Sequence, residues 1–462
     1  MESAQGWSDP RGKGFRRRWP VAEVVAWLEE SLATRWSHPG VETVPLAKAA
    51  GRVLTEAVVS QVAVPGFARA AMDGYAVRGE DTFGADPTNP LTFRVVGRSR
   101  PGVAAEVVVG SGEAVAIATG APLPPGADAV VPVEATRLRV HDHDHAPSTA
   151  SLSPAELLVE VVEPTPPGRH VGRIGEDVAP GEMILEPGRW LRPQDLGVLS
   201  ALGWREVLVR RRPRVTILAT GPEILPVGSA PSDVRIPDMN SPMLAALVER
   251  DGGYAEIQGP LADDRHVLAE ALARAANRSE FVIVSGGSST GPEDHLPSLV
   301  AELGSLPFHG LALRPAGPTG LGTIGSTPIL LAPGNPVSCL CAYDLLGSRV
   351  VRRLAGWRQA WAYRATRRPL TRNLVSVLGR LDYARVRFDA RGGVEPLAIS
   401  GASILSSTVR ADGFTLIAPH SEGAAEGTVV TVWRYDPTSS HVWDELQDDP
   451  FGFGLADSNS AR

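Results

Sequence analysis

The chain has 462 residues, with 45 Lys+Arg against 52 Asp+Glu for a formal net charge of −7; apolar residues make up 43% and charged residues 21%. That composition belongs to folded globular protein of about three domains, and it excludes disordered, fibrous and strongly basic nucleic-acid-binding chains. Two cysteines, Cys339 and Cys341, are too few for a disulfide scaffold or a cysteine-rich zinc site, so a reducing, cytoplasmic setting is expected.

Residues 1–20 carry Arg11, Lys13, Arg16, Arg17 and Arg18 with no apolar run behind them, and read as a solvated, disordered start rather than a signal peptide. No continuous apolar stretch is long enough to span a bilayer, and the net acidic charge gives no pull toward nucleic acid or an anionic membrane surface, so neither a membrane nor a nucleic acid is expected as a partner. Val21, Val24, Val25, Leu28 and Leu32 fall at helical spacing and predict a helix over 21–34. From there to about Leu208 the text is strand-like, with runs at Leu91–Val96, Glu106–Val109, Ala114–Ile117, Ala129–Val133 and Leu157–Val162. The tract His141-Asp142-His143-Asp144-His145 has metal-ligand chemistry, but its Pro- and Ser-rich flank reads as a solvated loop insertion.

The character changes after Arg210-Arg211-Arg212-Pro213. Apolar strands are expected at Val215–Ala219, Tyr254–Gln258, Phe281–Val284, Leu311–Leu313 and Ile329–Leu331. Helices are expected near Met243–Arg250, His266–Ala276, Pro297–Leu303 and Val337–Leu354. Short continuous apolar strands alternating with helices predict a doubly wound, mostly parallel α/β domain. Beyond Trp357 strands and turns return as far as Trp433, and the tail after Pro437 is polar, acidic and expected to be disordered.

Open parallel sheets bind ligands at the carboxyl ends of their strands. Three loops are expected there: Thr220-Gly221-Pro222-Glu223, Ser285-Gly286-Gly287-Ser288-Ser289-Thr290-Gly291-Pro292-Glu293-Asp294, and Ala332-Pro333-Gly334-Asn335-Pro336. Glycines let amide N–H groups approach an anion closely, and hydroxyls add donors, so a phosphate-bearing ligand is indicated. Glu223 and Asp294 are carboxylates able to hold magnesium beside it. Gly320–Gly325 spells a dinucleotide fingerprint but precedes a strand instead of following one, and is set aside. Gly287–Gly291 spells a nucleophile elbow on Ser289, with His309 and His420 downstream but no well-spaced acid, so a serine hydrolase is the weaker reading.

Six segments, FARAAMDGYA (67–76), IATGAPLPPGADAVVPVE (117–134), GRIGEDVAPGEMI (172–184), TILATGPEIL (216–225), IVSGGSSTGPED (283–294) and LLAPGNPVS (330–338), together closely resemble the molybdopterin molybdenumtransferases, the MoeA proteins and the E domain of gephyrin. The likeness runs from about residue 20 to 436. It implies insertion of molybdate into adenylylated molybdopterin with release of AMP, helped by a divalent cation such as Mg2+. It also implies an elongated homodimer and a four-domain chain: 21–74 with 166–208, an inserted β-rich 75–165, an α/β molybdopterin-binding domain at 209–357, and a β-barrel-like domain at 358–436.

By motif, the resemblance assigns catalytic or electrostatic roles to Asp73, Thr119, Asp177, Glu223, Asp263, Asp294 and Arg314. It assigns ligand binding to Gly286, Gly287, Ser288, Ser289, Gly291, Pro333, Gly334, Asn335, Pro336 and Arg385, and metal binding to Glu223 and Asp294. One segment departs from the pattern: where the family has three lysines, this chain has Gly310, Arg314 and Gly317. Pro222 also replaces an acid, and Ala402 stands where a serine is common. Either nearby arginines restore the charge, or the chain is a diverged molybdopterin-binding homologue without turnover.

Overall fold

In this computed structural model the described residues are 17–36, 38–140, 157–288, 294–398, 401–435 and 450–452. The His141–His145 tract, Ser289 and Gly291 lie outside them. The chain divides into two compact units, one of residues 57–186 with 193–205 and the other of residues 1–56, 187–192 and 206–462.

The larger unit is built on the apolar runs read from the sequence. Helix α1 covers Val21–Thr34, as the spacing predicts. There follow β1 (Arg214–Thr220), α2 (Asn240–Arg250), β2 (Tyr254–Leu261), α3 (Arg265–Arg278), β3 (Phe281–Ser285) and α4 (Leu296–Leu303). Next come β4 (Ser305–His309), β5 (Gly320–Ile324), β6 (Thr327–Ala332), α5 (Pro336–Ala342) and α6 (Ser348–Leu354). Six strands form one sheet in the order β2-β1-β3-β6-β5-β4. β2, β1, β3 and β6 are parallel, and β5 runs antiparallel to both β6 and β4.

Successive strand residues face opposite sides, and here both sides are covered. Val215, Ile217, Phe281, Ile283 and Leu330 pack with Leu28, Leu244, Val248 and Leu345 on one face. Leu218, Val282, Val284, Ile329 and Leu331 pack with Leu268, Leu272, Leu299 and Val300 on the other. Burial on both faces is why these strands read as unbroken apolar runs instead of alternating ones.

Three sequence expectations change. Gly320–Ile324 is itself a strand, paired with β6, so it does not merely precede one. Of Leu311–Leu313 only Leu313 is in a strand, the pair Leu313–Arg314, which lies beside Leu381–Asp382 in the C-terminal sheet and not in the α/β sheet. The helix expected over 337–354 is interrupted by a π-helical turn at Tyr343–Gly347.

That turn carries Asp344, a fully buried carboxylate that accepts hydrogen bonds from the Tyr363 hydroxyl at 2.5 Å and the Tyr383 hydroxyl at 2.9 Å. Both tyrosines lie in the C-terminal part of the chain, whose six-stranded sheet includes Leu381–Phe388, Gly413–Ile417 and Val429–Arg434. Burial pushes the Asp344 carboxyl from the usual 3.8 up to about 6, against the pull of Arg250 and the two tyrosines. The folded chain therefore takes up this proton before the unfolded chain does as pH falls. Its contribution to stability is greatest below about pH 4 and declines as pH rises to about 6. Asp344→Asn removes that decline, so its stability relative to the parent chain should improve between pH 4 and pH 7 by on the order of 2–3 kcal/mol in urea unfolding.

The smaller unit holds a six-stranded sheet ordered Ala129–Pro132, Gly74–Val77, Glu113–Ile117, Leu91–Ser99, Leu157–Val161 and Thr136–Val140. Phe93, Val95, Ala114, Val131 and Val159 fill one core, while Ala76, Val115, Ile117 and Val130 face another. The strand expected at Glu106–Val109 does not form. Val107 is laid over Gly97, close enough that a Cβ there would meet its side chain at 2.8 Å, so the segment covers the sheet instead of extending it.

Candidate active site

In the smaller unit three of the sequence motifs are tied together by backbone hydrogen bonds. The two-residue strand Arg69–Ala70 pairs with Val171–Gly172. On its other side Ala70 N–H donates to Ala121 O at 2.9 Å, and Gly120 N–H donates to Ala70 O at 2.8 Å. Asp73 emerges from this junction exposed, and its Oδ1 accepts from the backbone N–H of Thr119 at 2.7 Å and from the Thr119 hydroxyl at 3.0 Å. Those two bonds hold the Asp73 carboxyl below the usual carboxylate range. Asp177 follows the turn in which the Glu176 carboxylate bonds Arg173 N–H at 2.8 Å and pairs with Arg69; Asp177 itself is exposed and anchored by its N–H to Val64 O. Asp73 and Thr119 are thus brought into contact, and Asp177 leaves from the turn that follows the strand paired with Arg69–Ala70.

In the larger unit the three loops converge at the carboxyl ends of β1, β3 and β6. Gly286 N–H donates to Ala332 O at 3.2 Å. Gly286 has a positive φ, and a Cβ on it would meet Thr220 O at 2.4 Å, so only glycine lets the loops after β1 and β3 approach this closely. Asn240, at the start of α2, fastens the other side: its Nδ2 donates to Ser285 Oγ at 2.8 Å and to Gly334 O at 2.7 Å. The Asn240 and Ser241 amides are capped by Asp238 Oδ1, each at 3.0 Å. Thr220 Oγ1 and Asn240 Oδ1 are buried at this edge without a hydrogen-bond partner among the described residues, as expected of groups that line a polar ligand site.

Glu223 is exposed, and its carboxylate oxygens lie 2.7 and 2.9 Å from where a Cβ on Gly221 would stand. Asp263 is exposed beside Asp264, whose side chain caps α3 through the amides of His266 and Val267. Asp294 opens the turn before α4, half-buried. His309, at the end of β4, donates from Nε2 to Ser288 O at 2.8 Å and so holds the glycine-rich loop from beneath. Burial lowers its pKa, partly offset by the Ser288 bond and the neighbouring Asp294 charge. With Nε2 committed to a carbonyl, His309 serves here as a support of the loop. Neither thiol is poised for chemistry: both are buried, and burial pushes Cys339 up to about 12.

Arg314 does not stand free at the site. Its Nε donates to Asp382 Oδ1 at 2.9 Å and its Nη2 pairs with Oδ2, while Asp382 is fully buried and also bonded by Ser376 Oγ at 2.5 Å. Arg385 is fully buried as well, with Nε donating to Ser407 Oγ at 3.3 Å. Arg385 is thus buried and Arg314, partly accessible, is committed to Asp382, a long-range pairing that no local pattern announces. The sequence reading also missed Asp238 and Asn240. Their Asp-x-Asn spacing before an apolar helix is a capping signal and was the available clue.

Residues 19–203 match the family model described as "MoeA N-terminal region (domain I and II)", 216–353 the "probable molybdopterin binding domain", and 367–435 the "MoeA C-terminal region (domain IV)". Molybdopterin molybdenumtransferase 2 of Mycobacterium tuberculosis is 35% identical over 406 residues, 85% of this chain and 94% of that one. Molybdopterin molybdenumtransferase of Haemophilus influenzae is 30% identical over 398 residues, 85% and 93% of the two chains. A crystal structure of the molybdopterin biosynthesis MoeA protein from Pyrococcus horikoshii superposes with a TM-score of 0.72 at 30% identity, covering 91% of this chain and all of that one. No helix among the described residues is long and apolar enough to cross a membrane. The chain belongs to the molybdopterin molybdenumtransferase (MoeA) family.

Proposed function

We propose that this chain is the molybdenum-inserting enzyme of molybdenum cofactor biosynthesis, taking molybdate and adenylylated molybdopterin as substrates and releasing AMP. The observation that carries the reading is the convergence of the loops after β1, β3 and β6, fastened by Asn240, with buried and unpartnered Thr220 Oγ1 and Asn240 Oδ1 at their centre. In this reading the amides of Gly287, Ser288, Gly334 and Asn335 receive the pterin and its phosphates, while Gly286, bonded to Ala332 O, and the flanking Pro333 and Pro336 shape the loops around them. Asp73, with Thr119, and Asp177 supply the carboxylates of the smaller unit.

Mg2+ takes oxygen donors and commonly keeps waters while bridging one or two carboxylates to phosphate. Glu223 and Asp294 are donors of that kind, and Gly221 leaves room for the first. Among the described residues no three such side chains cluster, so phosphate and water would complete the shell. Bound there, the ion would neutralise phosphate charge. We further propose the four-domain division at 74/75, 165/166, 208/209 and 357/358, a homodimer and a cytoplasmic location.

The test is AMP release from adenylylated molybdopterin by purified full-length protein. Release that requires both molybdate and Mg2+ is expected. No release at millimolar molybdate, with molybdopterin still bound, would reject the enzyme in favour of a binding homologue.

A further inference from the structure

Between β1 and α6 the buried side-chain polar atoms without a hydrogen-bond partner, among the described residues, are Thr220 Oγ1, Asn240 Oδ1 and Ser241 Oγ. They are not scattered. Thr220 ends β1, and Asn240 and Ser241 open α2, so all three belong to the sheet edge where the glycine-rich loops converge. Thr220 is 3% exposed and Asn240 7%, too little for solvent to serve them. Burying a polar group unpaired is costly, and a cluster of such groups at one ligand edge is accounted for by a ligand that pairs them.

The surrounding bonds fix what each group can offer. Asn240 Nδ2 commits its two N–H groups to Ser285 Oγ at 2.8 Å and Gly334 O at 2.7 Å. A backbone carbonyl can only accept, so the carboxamide cannot be turned over and Oδ1 is left as a pure acceptor. Thr220 Oγ1 lies 2.9 Å from where a Cβ on Gly286 would stand and 3.4 Å from that of Gly287. Its hydroxyl therefore faces the bare turn of the glycine-rich loop, and it can donate as well as accept. Ser285 and Gly286 are consecutive, so the acceptor and the hydroxyl flank one stretch of backbone. Together they complement a heterocycle edge on which an exocyclic amine adjoins a ring nitrogen acceptor.

We propose that Asn240 and Thr220 recognise the amine-bearing edge of the substrate's heterocycle, Oδ1 accepting from the amine and the hydroxyl donating to the ring nitrogen beside it. The inference deepens the molybdenum-insertion reading and rests on it for the ligand. That ligand carries two such edges, the aminopyrimidinone of the pterin and the adenine of its adenylyl group. An analogue with an oxo group in place of the amine sets one acceptor against another. A site built to bond a particular donor discriminates against such an analogue because its own buried group is then left unpaired. Asn240 is thus a loop fastener through Nδ2 and a recognition group through Oδ1, and binding measurements separate the two.

Full-length parent, Asn240→Ala and Thr220→Val are each titrated by equilibrium dialysis with pterin and lumazine, its oxo counterpart, and with AMP and IMP. The parent should bind the amine compound of one pair about 10-fold or more tighter than its oxo partner. The pair that shows the preference assigns the edge to the pterin or to the adenine. Asn240→Ala should bring that ratio within about threefold by weakening the amine compound. Thr220→Val keeps the side-chain shape and deletes only the hydroxyl, so it should weaken the amine compound about 5-fold while the ligand-free protein melts at or above the parent's temperature. A parent ratio below threefold in both pairs, or no binding of any of the four, overturns the assignment. So does an unchanged ratio in Asn240→Ala, which would make Asn240 a fastener alone. A Thr220→Val protein that binds like the parent, or melts lower, would overturn it as well. Dialysis needs neither molybdate nor turnover, so intact discrimination without AMP release would reject the enzyme and leave this recognition standing.

Discussion

Asp73→Asn is expected to lower molybdate-dependent AMP release by about 100-fold or more while leaving the thermal unfolding of the protein nearly unchanged. The two effects separate because of how the side chain is held. Both hydrogen bonds from Thr119 converge on Oδ1, and an asparagine oxygen can accept both, so the turn that joins the two motifs survives. What disappears is the negative charge, and the other terminal atom becomes a donor where an acceptor stood. Thr119→Val removes only the hydroxyl bond and keeps the amide bond, so it should cost about 10-fold or less.

The Thr119 bonds also predict the pH behaviour. They hold the carboxyl below its usual range, so Asp73 stays ionised into mild acid and does not set the acid limb of the rate profile. Steady-state kcat and KM of the two variants, with melting temperatures, decide the matter. An Asp73→Asn enzyme within threefold of the parent would show that the residue only builds the turn.

Elements buried on both sides were legible because burial leaves a mark on every residue. Val215–Ala219, Phe281–Val284 and Ile329–Leu331 read as core strands, and glycine-rich text after each marked the ligand edge. β4 and β5 were not legible: Ser305-Leu306-Pro307-Phe308-His309 and Gly320-Leu321-Gly322-Thr323-Ile324 mix small, polar and apolar residues at the sheet margin. A Cβ on Gly322 would meet Ser305 O at 2.3 Å, so the glycine is demanded by close approach of the neighbouring strand, a partner the local sequence cannot name. The site divides the same way. Acids and glycines stand in motifs that can be read locally, whereas the pairing of Arg314 with Asp382, 68 residues away, and the approach of Arg18 to Gly317 depend on which distant segments meet. Composition around either arginine is silent on both.

Long-range pairing also sets where the larger unit should be most sensitive to mutation. Asp251, at the end of α2, is fully buried and accepts from Arg250 Nη2 at 2.8 Å, Arg250 Nε at 3.2 Å, Arg352 Nη1 at 3.1 Å and the Tyr343 hydroxyl at 3.0 Å. Asp251→Ala leaves two guanidinium groups facing each other without their shared anion, and breaking a buried pair in this way costs about 3–5 kcal/mol. Arg250 is about a third exposed and can recover some hydration, which places the expected loss toward the lower end; Arg352 is nearly buried and cannot. Asp251→Asn retains acceptor capacity and should fall between the variant and the parent. By contrast the exposed pair Arg17–Glu23, at 3.4 Å with both side chains more than half accessible, should yield less than about 1 kcal/mol on Glu23→Ala. Urea unfolding followed by far-UV circular dichroism distinguishes these cases, and Trp357, whose ring lies 4.4 Å from the Arg352 guanidinium, is one of the ten tryptophans contributing to a parallel fluorescence signal. A loss below about 1 kcal/mol for Asp251→Ala would mean that water or a rearranged arginine satisfies the site, and that α2 is held by its apolar face instead. A full loss would tie the start of α2, where Asn240 grips Ser285 and Gly334, to an ionic anchor at its far end.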